Sequence, residues 1–147
     1  MRGRGAAGPQ DSRAAPTNNP QALKYYTDGY TTGANPSKIG GGFTIADEYG
    51  ELIERKFFAS DFFTCNEGEL RGIAFCLTIA KPGDTISSDS RVAISWINSG
   101  RVKARPDLLP IADLARALID AKGVNLLWEG RESNLAGHIN ERMEREL

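Results

Sequence analysis

The chain has 147 residues, 40% of them hydrophobic, which is enough for one α/β domain with a real core and too few for two. Its net charge of −1 and pI near 5.9 give no global positive field for nucleic acid, so such binding needs a local basic patch or metal ions that offset carboxylates. No apolar window approaches a membrane span and none follows Met1-Arg2-Gly3-Arg4-Gly5, so the expectation is a cytoplasmic protein, neither secreted nor membrane-bound.

Residues 1–22 are rich in Gly, Ala, Pro, Asn and Gln, with almost no bulky apolar side chain to offset the entropy of ordering. They are read as a disordered leader before a folded domain over 23–147. A first strand is predicted from Leu23 to Asp28. The aromatic run Tyr25-Tyr26-Thr27-Asp28-Gly29-Tyr30 then breaks at glycine, which would present Asp28 at the edge of a sheet. Beyond the Gly40-Gly41-Gly42 run, 41–47 alternates as a second strand. Tyr49-Gly50 turns the chain into a third over 51–59, so the three form an antiparallel meander.

Thr64 or Asn66 can cap a helix running to Ala80, whose Leu70, Ile73, Ala74 and Leu77 fall on one face. A short strand over 85–88 delivers Asp89, and a helix follows to the glycine stop at Gly100. Residues 101–107 form a basic loop, 108–122 a strongly periodic helix, 124–128 a strand, and Asn134 opens a final helix with mixed charges. The order β-β-β-α-β-α-α-β-α implies a mixed sheet with helices packed on it. Cys65 and Cys76 sit along one helix, about 16 Å apart by axial rise, too far for a disulfide.

Asp28 closes the first strand, Glu69 opens the first helix, and Asp89 follows the fourth strand. Singly, each has a structural reading: a turn aspartate, a complement to the helix dipole, a helix cap. Together, three carboxylates on three elements are what divalent cations require, because hard oxygen ligands must converge and metal charge must relieve their repulsion.

The motifs Tyr26-Thr27-Asp28-Gly29, Asn66-Glu67-Gly68-Glu69-Leu70, Ser88-Asp89-Ser90 and Trp128-Glu129-Gly130-Arg131-Glu132-Ser133-Asn134 occur in this order. With them the chain, from about residue 23 onward, resembles type 1 ribonuclease H. The resemblance implies a five-stranded mixed sheet in the order 3-2-1-4-5 flanked by helices. It further implies an endonuclease that cuts the RNA strand of RNA:DNA hybrids, acting as a monomer with two Mg2+ or Mn2+ ions. Held by Asp28, Glu69 and Asp89, two cations roughly 4 Å apart would activate water for in-line attack and stabilise the leaving 3′ oxygen. Substrate contacts, including those that read the 2′-hydroxyl, are expected from Gly29, Thr64, Asn66, Ser90, Arg91 and Asn134.

The chain departs from the family at two places. The fourth carboxylate usually falls four residues after the asparagine of the last motif, and here that position holds His138, the only histidine. His138 is taken as the fourth metal-site and catalytic residue, because this alignment from Trp128 needs no gap; the competing alignment puts Glu144 there. The second departure is that the basic helix some members insert before the long helix is absent. Only the loop 101–105 stands in its place, with Lys103 and two arginines as candidate phosphate contacts.

Three rival readings stand beside this one. A proofreading-type exonuclease would need Asp-x-Glu on the first strand, and a phosphate-binding loop would need lysine and Ser/Thr after the glycines; neither pattern is present. The remaining alternative is a catalytically weak or silent hybrid-binding domain of the same fold.

Overall fold

The computed structural model describes residues 21–146, so the leader read over 1–22 lies, but for its last two residues, outside the described residues. The strands are β1 (Lys24–Thr31), β2 (Gly40–Asp47), β3 (Leu52–Ala59), β4 (Thr85–Ser88) and β5 (Asn125–Trp128). The helices are α1 (Cys65–Ile79), α2 (Arg91–Ser99), α3 (Leu109–Lys122) and α4 (Leu135–Arg145), with single 3-10 turns at Pro106–Leu108 and Arg131–Ser133. The sheet order is β3-β2-β1-β4-β5. β1 pairs antiparallel with β2, β2 antiparallel with β3, and β4 parallel with both β1 and β5.

Successive strand residues point to opposite faces. Accordingly Tyr25 joins the large core formed with Phe43, Ile45, Leu70, Ile73, Ile86, Ile94, Ala115 and Leu126, which puts α1, α2 and α3 on one face. Tyr26 packs against a smaller cluster of Ala46, Ala136 and Ile139, which brings α4 to the other.

The expected elements are all present, and the difference of consequence is β1. It runs past Gly29 to Thr31 and lies at the centre of the sheet, so Asp28 is not at a sheet edge. The run continues because Gly29 to Thr31 pair with Phe43 to Gly41 of β2, a long-range pairing that local glycine signals do not reveal.

Local chemistry sets the helix ends. Thr64 caps α1, its hydroxyl accepting from the Glu67 amide at 3.1 Å. Gly100 and Gly123 end α2 and α3 in the left-handed conformation, with φ of 71° and 72°. At the far end of α1 the Lys122 ammonium donates to the carbonyls of Leu77, Thr78 and Ala80 at 2.8, 3.2 and 3.0 Å. Between α2 and α3 only a short loop and one 3-10 turn intervene, so the basic helix of some ribonucleases H is absent here. Both cysteines are free, and burial pushes the Cys76 thiol well above its usual range. Among the described residues no helix is long and apolar enough to cross a membrane.

Candidate active site

The site begins where β4 stops. The parallel pairing of β1 and β4 ends at Thr27 opposite Ser88, so Asp28 and Asp89 are the next residues on adjacent strands, side by side at the open end of the ladder. Glu69 arrives from α1, which approaches the sheet closely because glycines face each other. A Cβ on Gly29 would lie 2.5 Å from the Glu69 amide nitrogen, and one on Gly68 2.4 Å from the Gly42 carbonyl oxygen. Any side chain at either position would lift α1 and withdraw Glu69.

One carboxylate oxygen from each of Asp28, Glu69 and Asp89 lies within 4.8 Å of the others. Glu69 is 7% exposed and the two aspartates are partly buried. Oε1 of Glu69 and Oδ2 of Asp89 are buried without any hydrogen-bond partner. Burial raises the Glu69 carboxyl well above its ordinary range, and the nearby Asp28 and Asp89 charges add to this, while the Gly29 backbone N–H opposes it. Burial also raises Asp28, against the Asn140 amide, and raises Asp89, against Arg131 and Asn134. Three crowded carboxylates, two of them with an orphaned oxygen, fit a divalent cation, whose charge and vacant coordination positions would answer both defects.

The group opens into a cleft of about 700 Å³. Besides the aspartates it is lined by residues of β1 and the turn after it, by Arg55 and Cys65, and by Arg131, Gly137, Asn140, Glu141, Met143, Glu144 and Glu146. Of the residues expected from sequence, Asp28, Gly29 and Asp89 line this cleft. Glu69 does not line it but keeps a carboxylate oxygen within 4.8 Å of those of Asp28 and Asp89. Thr64 and Ser90 spend their hydroxyls on helix caps, Ser90 accepting from the Ala93 amide at 3.0 Å. Asn66 is exposed at the start of α1, and Arg91 lies over the Trp128 ring, 3.7 Å from its centroid. Asn134 is 1% exposed; it accepts from the Gly137 amide and donates to the Thr27 carbonyl at 2.9 Å, which anchors α4 to β1.

His138 is exposed, one turn beyond Asn134 on α4, and belongs neither to the carboxylate group nor to the cleft lining. Glu144 does line the cleft, two turns along α4 from Gly137. In the loop before α3, Arg105 is committed to the buried Glu67 at 2.9 Å and to Asp107 at 2.9 Å, so it is not available to phosphates as the sequence suggested. Sequence reasoning assigns no role in the site to Arg55, Arg131, Tyr30 or Asn140, which the structure brings to the cleft. Arg131 belongs to the last motif and Tyr30 to the aromatic run around Asp28, whereas Arg55 and Asn140 join the site through long-range contacts that leave no local pattern.

No protein-family profile and no curated protein sequence matches the chain. Solved structures do. RNase H1 from the halophilic archaeon Halobacterium salinarum NRC-1 is 18% identical, covering 84% of this chain and 98% of its own, with a TM-score of 0.61. The N-terminal RNase H domain of a Mycobacterium tuberculosis protein is 22% identical, covering 78% and 92%, with a TM-score of 0.58. LC11-RNase H1, solved in complex with an RNA/DNA hybrid, is 19% identical, covering 76% and 88%, with a TM-score of 0.54. The chain therefore has the ribonuclease H fold, with its sheet in the order 3-2-1-4-5.

Proposed function

We propose that the protein is a metal-dependent endoribonuclease that hydrolyses the RNA strand of RNA:DNA hybrids. The observation that carries this reading is the trio Asp28, Glu69 and Asp89, whose carboxylate oxygens converge beside an open cleft, with one buried oxygen of Glu69 and one of Asp89 lacking a hydrogen-bond partner. In this reading those three side chains would hold two Mg2+ or Mn2+ ions, with His138 of α4 in the fourth position. When bound, the ions supply the Lewis acidity that hydrolysis of a phosphodiester demands.

The chain's own residues do the rest. The glycine contacts under α1 hold Glu69 at a fixed depth, and Asn140 holds Asp28. The positive charge of Arg131, which also lines the cleft, favours the ionised form of both aspartates. Arg55, stacked 4.0 Å from the Tyr30 centroid, and Arg131 offer guanidinium groups to the phosphates of a strand lying in the cleft. The backbone around Gly29, with Thr64, Asn66, Ser90 and Arg91, is proposed to contact the hybrid, including its 2′-hydroxyls. That a structural relative was solved with an RNA/DNA hybrid supports the choice of substrate.

The test is a labelled panel of RNA:DNA hybrid, duplex RNA and duplex DNA, each incubated with and without Mg2+. Metal-dependent cutting of the RNA strand in the hybrid alone is the expected result. Metal-dependent binding of the hybrid without cutting would replace this reading with a catalytically silent hybrid-binding domain.

A further inference from the structure

Asp28 is reached by a side chain from the far end of the sequence. Asn140, 8% exposed on α4, donates from Nδ2 to Oδ2 of Asp28 at 3.0 Å. Its own oxygen is held in turn, since the buried Thr44 hydroxyl donates to Asn140 Oδ1 and Arg55 Nε approaches the same oxygen at 3.4 Å. Arg55 Nε also donates to Thr44 Oγ1 at 3.1 Å, and its guanidinium is braced against the Tyr30 ring.

This arrangement permits only one orientation of the amide. A guanidinium has donors and no acceptor, so the amide atom facing Arg55 must be the oxygen. An ionised carboxylate accepts only, so the atom facing Asp28 must be the NH2. Flipping the amide would set donor against donor at one end and acceptor against acceptor at the other. The chain Arg55, Thr44, Asn140, Asp28 thus runs in one direction from the edge strand β3 through β2 and α4 to the central strand β1. It fixes the Asp28 carboxylate through Oδ2.

We propose that Asn140 is a positioning residue for Asp28, with Thr44 and Arg55 locking its amide so that the carboxylate is preset to receive a divalent cation. This rests on the reading of Asp28 as a metal ligand. Hydrogen-bond partners of metal ligands act in this way, and losing one typically weakens metal binding about 10- to 100-fold. A purely space-filling Asn140 would leave metal affinity untouched when replaced by leucine, which has nearly the same volume.

The experiment is titration of the full chain with Mn2+ alone, following bound ion by calorimetry or by electron paramagnetic resonance. Metal-free melting is recorded beside it for the wild type, Asn140→Leu, Thr44→Val, the double variant and Asp28→Asn. Asn140→Leu should weaken Mn2+ binding about tenfold or more. Thr44→Val should weaken it by less, and the double variant should match Asn140→Leu, because both act through one amide. If Asn140→Leu folds poorly, Thr44→Val decides alone, and Mn2+ affinity equal to wild type would overturn the proposal. Wild-type or tighter binding by a folded Asn140→Leu protein would overturn it too, leaving the metal reading intact provided Asp28→Asn loses the ion. A wild-type chain that binds no Mn2+, or an Asp28→Asn chain that binds it equally well, would remove the metal reading of Asp28 and the positioning role with it.

Discussion

Glu69 is ionisable, buried and short of one hydrogen-bond partner, and its carboxyl is held well above the ordinary range by burial first and by Asp28 and Asp89 next. A group whose pKa is raised on folding adds stability that is complete below its unfolded value, and that stability is lost as pH rises through the folded value. The metal-free protein should therefore be burdened by Glu69 above the usual carboxylate range. Glu69→Gln should melt close to wild type near pH 4 and about 3–6 °C higher near pH 8, and saturating Mg2+ should erase that advantage. A Glu69→Gln protein that melts below wild type at pH 8 without metal would contradict this account. The fourth position is decided by kinetics. His138→Ala should lower turnover in Mg2+ and shift the metal optimum, and His138→Asp should keep or raise Mg2+-dependent rates. Glu144→Ala should leave kcat unchanged and lower KM, because it removes a carboxylate from the wall of the cleft that would receive the phosphates in the proposed function. A crippled Glu144→Ala beside an unaffected His138→Ala would hand the position to Glu144. The three core carboxylates were legible in the sequence because each stands beside a strand or helix signal. Asn140 was not, since its contact with Asp28 spans 112 positions and leaves no local pattern.

At the scale of elements, α1 carries the site and is fixed at both ends. At its start, a methyl group on Gly29 would meet backbone atoms of α1, the Glu69 nitrogen at 2.5 Å and the Cys65 oxygen at 2.8 Å, which cannot swing away as a side chain can. Gly29→Ala should cost about 1–3 kcal/mol by overpacking and should lose hybrid cleavage beyond what the fall in Tm explains. At its other end, Lys122→Met removes the ammonium that donates to three terminal carbonyls and should cost about 1–2 kcal/mol, with kcat on the hybrid unchanged. Thermal melts and initial rates on the same preparations separate the two cases. The helix ends were readable in advance from Thr64, Gly100 and Gly123, whose cap chemistry is local. The length of β1 was not, because it is fixed by pairing with the glycines of β2, and the 3-10 turns at Pro106–Leu108 and Arg131–Ser133 have no apolar periodicity to announce them.

Across the whole molecule, a chain of net charge −1 turns an acidic group outward at the meeting of β1, β4 and α1, beside a cleft lined by Arg55 and Arg131. Such a surface suits a polyanion only when cations are supplied with it. Metal and substrate are therefore expected to depend on the same three carboxylates. The most direct measurement is the initial rate of RNA-strand cleavage in an RNA:DNA hybrid, in saturating Mg2+, by wild type and by Asp28→Asn preparations of matched Tm. Asp28→Asn removes a charge and no packing volume, so the account predicts brisk cleavage by wild type and a background rate for the variant. Near-normal cleavage by a folded Asp28→Asn protein would contradict it.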